Sequence, residues 1–177
     1  GGAAAAVVLA AGAALVQMTA GYAPDRVARD RIGSDAAAAR ADALRAADAD
    51  ALLSAELVAC FRLAGDDPRR AERLLGATVA AASSVVEIAR LADPLLTALP
   101  WLVEHGDPRL LPDVAVAART LAAALRSCRT TVRVNTTSAR EAGADEAVLA
   151  GLAAAAERMR EACRGLDRLA DQADARL

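Results

Sequence analysis

The chain has no lysine, one histidine, one tryptophan, one tyrosine and one phenylalanine among its 177 residues. Each scarcity excludes something. Without lysine there is no Schiff-base nucleophile, and all 21 basic residues are arginine. A single histidine (His105) and three dispersed cysteines (Cys60, Cys128, Cys163) form no Cys-x-x-Cys pair, so a zinc site lacks ligands and no metal is expected. The cysteines lie among apolar residues and read as small buried hydrophobes of a reducing compartment. A formal net charge of −2 leaves no basic excess, so nucleic acid is not an expected partner. Val/Ile/Thr alternation and Asn-Gly turns are also missing, which removes the signals of a sheet.

Alanine and leucine fill the space that is left. Hydrophobic residues reach 55% while aromatics stay at 2%, so helices can form readily and pack with their backbones close together. The expected class is all-α, a multihelical bundle of long and short alanine-rich helices in one domain over residues 1–177. A first helix should span about 3–20 and stop at Gly21-Tyr22-Ala23-Pro24. After a polar connector, Ser34 or Asp35 should cap a second helix that reaches Ala64 and Gly65. Asp67-Pro68 and Asp93-Pro94 should open helices near 68–92 and 94–105, the second kinked at Pro100, with a turn at Asp107-Pro108. Pro112-Asp113 should start a helix to about Arg133. Gly143 breaks the chain, and Asp145 leads a last amphipathic helix.

The first charged residue is Asp25, so residues 1–24 have the apolarity of a signal peptide or membrane span. They lack a basic leader, are built of alanine and glycine more than leucine, and are interrupted by Gln17 and Thr19. A buried central helix in a cytoplasmic protein, with no membrane partner, is the expectation. Being apolar nearly all round, that helix needs neighbours on every side, and a second subunit can supply some, so a homodimer is expected.

Polar residues that interrupt such a pattern mark candidate chemistry. Asp48 stands mid-helix among alanines, Asp113 stands at a helix start, and Asn135 follows near that helix's expected exit. Gly1-Gly2-Ala3-Ala4, Asp48-Ala49-Asp50-Ala51-Leu52, Phe61-Arg62-Leu63, Gly106-Asp107 through Pro112-Asp113-Val114-Ala115-Val116-Ala117, and Thr131-Val132-Arg133-Val134-Asn135 occur in that order. Together they resemble the motifs of the family containing formiminotetrahydrofolate cyclodeaminase and bacterial methenyltetrahydrofolate cyclohydrolase, and the resemblance covers nearly the whole chain.

That resemblance implies an all-helical dimer acting on a reduced folate, with a tetrahydrofolate derivative as substrate and no further cofactor. The cyclohydrolase adds water to a cyclic amidinium carbon and opens the ring; the cyclodeaminase closes that ring and expels ammonia. Both pass through a tetrahedral carbon between two nitrogens, beside changing positive charge. One carboxylate can stabilise the cation while another moves protons. Asp48 and Asp113 are the candidates, and Asn135 can orient substrate or water through its amide. Gly1 and Gly2 would let backbone N–H groups approach the ligand, with Thr131 in the same binding shell. Arg133 or Arg119 would hold a glutamate tail.

The chain also departs from the family's pattern. Its basic segment after the first helix is here Thr19-Ala20-Gly21-Tyr22-Ala23-Pro24-Asp25. The loop serine is Ala3, the asparagine after Gly106 is Asp107, the serine before Asp113 is Pro112, and the first asparagine of the last motif is Thr131. Two alternatives therefore stand beside folate turnover. One is related imine or iminium chemistry on a non-folate substrate; the other is a non-catalytic dimeric binding or scaffold protein.

Overall fold

In the computed structural model, which describes residues 1–176, six α-helices and one 3-10 turn account for the regular structure, with no strand among the described residues. Helix α1 (Gly2–Ala20) ends at Gly21, and a short turn leads to Asp25. The Asp25 side chain accepts the Ala28 N–H at 3.0 Å and caps α2 (Arg26–Phe61). Helix α2 therefore starts well before the expected Ser34 or Asp35, and the expected polar connector is helical. Its physical reason is a buried stripe: Ala28, Ile32, Ala36, Ala39, Ala43 and Ala47 recur at helical spacing and face the core. Burying that stripe outweighs the cost of Gly33 inside the helix, about 1 kcal/mol.

Helices α3 (Arg70–Arg90) and α4 (Asp93–His105) follow, the latter carrying Pro100 in its interior. The Asp67 carboxylate accepts the Arg69 N–H at 2.8 Å, and that of Asp107 accepts the Arg109 N–H at 2.9 Å. Asp93 departs from this pattern: it lies in the first turn of α4 and makes no cap hydrogen bond. The Arg109 guanidinium also bonds Asp107 and holds its carboxyl down at about 2. A 3-10 turn (Pro108–Leu110) then enters α5 (Leu111–Glu141), which runs well past the expected end at Arg133. Threonine is a poor helix former. Here Thr130, Thr131, Thr136 and Thr137 all lie within the helix, and each donates its hydroxyl to the carbonyl four residues back. Gly143 turns the chain at φ +88°, and the Asp145 carboxylate caps α6 (Glu146–Asp174) through the Ala147 N–H at 2.8 Å.

Helix α1 packs chiefly on α2 and α5, α6 packs on α5, and α3 bridges α2 and α5. All six helices contribute to one core, with Leu9, Ile32, Val85, Leu99, Leu121 and Met159 among its members. By length and composition α1 is apolar enough to cross a membrane, but here Ala5, Ala6, Leu9, Ala13 and Val16 are buried against protein. The opposite stripe of the same helix, Ala4, Val7, Val8, Ala11 and Met18, is exposed. All three cysteines are buried and unpaired.

Candidate functional site

The head of α1 is held by two neighbouring helices. Gly1 faces α5, where an added Cβ would stand 2.7 Å from Thr131 Oγ1. Gly2 faces α2, where an added Cβ would meet both Asp50 carboxylate oxygens at 2.6 Å. A Cβ at either position would force the facing side chain, Thr131 or Asp50, to shift. Eleven residues along α1, a Cβ on Gly12 would stand 2.7 Å from the Leu121 side chain, so α1 and α5 run antiparallel.

Asp50 is 2% exposed. Its Oδ2 accepts the Ala3 N–H at 2.8 Å, and its Oδ1 accepts the Ser84 hydroxyl from α3 at 3.2 Å. It forms no ion pair among the described residues. A buried carboxylate is costly unless satisfied. Here its partners are two neutral donors and the positive end of the α1 dipole. Close by, burial pushes the Cys128 thiol up to about 12, and the Asp50 charge adds to that rise. Asp50 and Ser84 were not among the expected site residues, although a signal for Asp50 was present. Continuing the stripe Ala36, Ala39, Ala43, Ala47 by three residues reaches position 50.

Of the expected residues, Gly1, Gly2 and Thr131 come together at this head, and Asn135 lies one turn further along α5, half-buried. Asp48 is near in sequence but points elsewhere: two residues are 200° on a helix, so Asp50 turns inward and Asp48 outward into solvent. Asp113 lies in the first turn of α5, half-buried, and does not cap it, since the cap position is Leu110. Eighteen residues make five full turns, so Asp113 shares the helix face of Thr131 but lies about 27 Å away along the axis. A single chain therefore does not bring Asp48 and Asp113 together.

Arg133 is exposed on α5. Arg119 does not join the group either: its guanidinium bonds Asp174 at 2.6 Å and stands 3.8 Å from Asp171, both on α6. Asp174 raises the Arg119 pKa and is itself held low by Arg119. The bidentate partner expected from a substrate tail is thus supplied within the chain.

The sequence profile of the formiminotransferase-cyclodeaminase family matches residues 1–165. The fold is similar to the crystal structure of formiminotetrahydrofolate cyclodeaminase from Thermotoga maritima. The TM-score is 0.84 at 21% sequence identity, over 97% of this chain and 85% of that one. No curated protein matches the sequence. With the glycine head seated on Thr131 and Asp50, and the profile spanning nearly the whole length, the chain belongs to the formiminotransferase-cyclodeaminase family.

Proposed function

We propose that this chain is a cyclodeaminase- or cyclohydrolase-type enzyme acting on the cyclic amidine or formimino group of a tetrahydrofolate, in the cytoplasm and as a homodimer. The observation that carries the reading is the head of α1, where Gly1 and Gly2 bring backbone against Thr131 and the buried Asp50. The absent side chains let Thr131 and Asp50 lie directly against the helix head, and of the two glycines Gly1 is exposed to a ligand. Asn135, one turn along, would orient substrate or water. In the cyclohydrolase reaction water adds to the amidinium carbon, the tetrahedral carbon forms, and one C–N bond breaks as a proton passes to the leaving ring nitrogen. In the cyclodeaminase reaction the folate's own second nitrogen adds to the formimino carbon instead of water, losing its proton, and the protonated formimino nitrogen leaves as ammonia as the ring closes.

Asp48 and Asp113 are the proposed proton-transferring carboxylates, and their separation makes the second subunit part of the reading. The exposed stripe of α1 carries no charge, and its neighbours add exposed Leu44 and Leu52 on α2 and Val116 and Val134 on α5. Two copies paired antiparallel across α1 would carry the Asp113 end of one α5 toward the Asp48 end of the other's α2. An isologous contact of this kind repeats itself to give two equal sites.

The test follows the near-ultraviolet absorbance of 5,10-methenyltetrahydrofolate. The protein should accelerate its decay, and Asp48→Asn and Asp113→Asn should each remove the acceleration. Mixing the two variants should restore about a quarter of it, because random pairing gives mixed dimers with one intact site. Val7→Glu, on the exposed stripe, should give monomers in sedimentation and no turnover. No acceleration by the folded wild-type protein would overturn the folate reading. Arg119 is taken by Asp174 and Asp171, which leaves the exposed Arg133 as the candidate for a glutamate tail.

A further inference from the structure

Helices α3 and α6 both pack on α5 but barely on each other, and a cavity of about 610 Å³ opens between them. Its floor is apolar: Val86 from α3, Leu125 from α5 and Met159 from α6. Ala89, Ala155 and Ala162 leave the space, because side chains this small do not bridge two helices that each lean on a third. Two residues are 200° on a helix, so Val86 faces away from Ser84, and the cavity lies on the side of α3 opposite Asp50. None of the residues proposed for folate chemistry lines it. Its mouth is charged. Arg90 there is paired with Glu87, whereas Arg158 and Glu161 of α6 and Asp93 of α4 are exposed with no ion pair among the described residues. Arg158 and Glu161 are three residues apart, the spacing at which Glu157 closes on Arg160 and Glu87 on Arg90. Their order is reversed, arginine first, which is the weaker arrangement along a helix, and the two stay open to the cavity.

We propose that this cavity binds a zwitterionic amino acid with a large apolar side chain. The Arg158 guanidinium takes the α-carboxylate through paired N–H donors. Asp93 and Glu161 accept from the α-ammonium, whose three donors can serve two carboxylates. The side chain enters over Val86, Leu125 and Met159, and the flexible Met159 thioether can fit against an aromatic ring. An apolar floor with a few convergent polar groups is the usual form of a small-molecule site of this size. A simple cation would leave Arg158 unanswered, and a simple anion would meet two carboxylates. A ligand bearing both charges answers all three groups. The site does not rest on the proposed folate chemistry.

The experiment measures binding, by calorimetry, of phenylalanine and two truncated analogues: phenethylamine, which lacks the carboxylate, and 3-phenylpropanoate, which lacks the ammonium. Wild type should bind phenylalanine about twofold to fivefold more tightly than either analogue, the range expected of solvent-exposed charge pairs. High salt should narrow that margin. Arg158→Gln should weaken phenylalanine and 3-phenylpropanoate and leave phenethylamine unchanged. Asp93→Asn combined with Glu161→Gln should weaken phenylalanine and phenethylamine but not 3-phenylpropanoate. These three side chains are exposed, so the variants should fold, and thermal unfolding checks that they do. Ala162→Phe, which fills the cavity from its half-buried wall, should abolish binding of all three compounds. No saturable binding of phenylalanine by the folded wild type would overturn the proposal, a result readable even if Ala162→Phe does not fold. So would equal affinity for the three compounds, or binding that survives Ala162→Phe. Tighter binding of phenethylamine than of phenylalanine would make the cavity a site for simple cations and overturn it as well.

Discussion

Helices α1 and α6 both pack against α5 and differ in what they present to the outside. Helix α6 buries Leu152, Met159, Cys163, Leu166 and Leu169 and turns arginine and acidic residues outward. Its Asp167 pairs with Arg126 and its Asp174 with Arg119, both from α5. Water completes that helix. Helix α1 has no charged residue, meets α5 through Gly12 against Leu121, and exposes Val7, Val8 and Met18 on its far side. The difference teaches that two helices equally needed by the core can have opposite second faces. The dimer proposal rests on the one that water does not complete.

The sharpest way to break this comparison is to truncate one buried leucine in each interface. Leu121→Ala, fully buried opposite Gly12, should cost about 2–5 kcal/mol in urea unfolding. Leu169→Ala on α6, 9% exposed, should cost less, because solvent and neighbouring side chains can relax into the space. Equal costs would erase the distinction.

The glycines sharpen it further. Gly12→Val should cost about 1–3 kcal/mol by forcing Leu121 aside. Gly151→Ala on α6 opens onto empty space and should stabilise by about 0.5–1 kcal/mol through helix propensity. A loss at Gly151 would mean that α6 is as tightly seated as α1.

The smallest effect is electrostatic and belongs to the α5–α6 side alone. Arg119 holds Asp174 below the ordinary carboxylate range. A depressed folded-state pKa adds stability that is present above the unfolded value, near 3.9, and is lost as pH falls through the folded value. Asp174→Asn should therefore lower thermal stability slightly near neutrality and make no difference at the most acidic pH, where the wild type has lost the same contribution. An exposed pair of this kind is worth little, and a large change would contradict that assignment.

Much of this was readable from residues alone, because alanine-rich helices punctuated by proline, glycine and aspartate announce their ends. Asp145, Gly143 and Asp107 act where sequence logic put them. The start of α2 was obscured because Pro24, Gly33 and the charges between them imitate a loop. The buried spacing of Ala28, Ile32 and Ala36 overrode those local preferences. At the site, Gly1, Gly2 and Thr131 were legible as motif ends. Which of Asp48 and Asp50 faces inward depends on helix phase, which a motif does not state but the alanine stripe does. Ser84 had no signal, since nothing in α3 marks one serine of Ser83-Ser84 as the inward one. The α6 partners of Arg119 were equally hidden, because their pairing is set by how two long helices cross.

Helix α5 behaves as a threaded rod. Gly12 locks Leu121 and Gly1 locks Thr131, so α1 fixes both the height and the rotation of α5 at two points. Inserting one residue between those points would rotate everything beyond it by about 100° and advance it by about 1.5 Å. Asp113 would then leave the face it shares with Thr131. Four inserted residues would come back to within about 40° of the original face, but about 6 Å out of step. Length changes should therefore be tolerated beyond Glu141, where Gly143 already breaks the thread, and excluded between Asp113 and Thr131. That segment is constrained in residue count even where its individual side chains are free to vary.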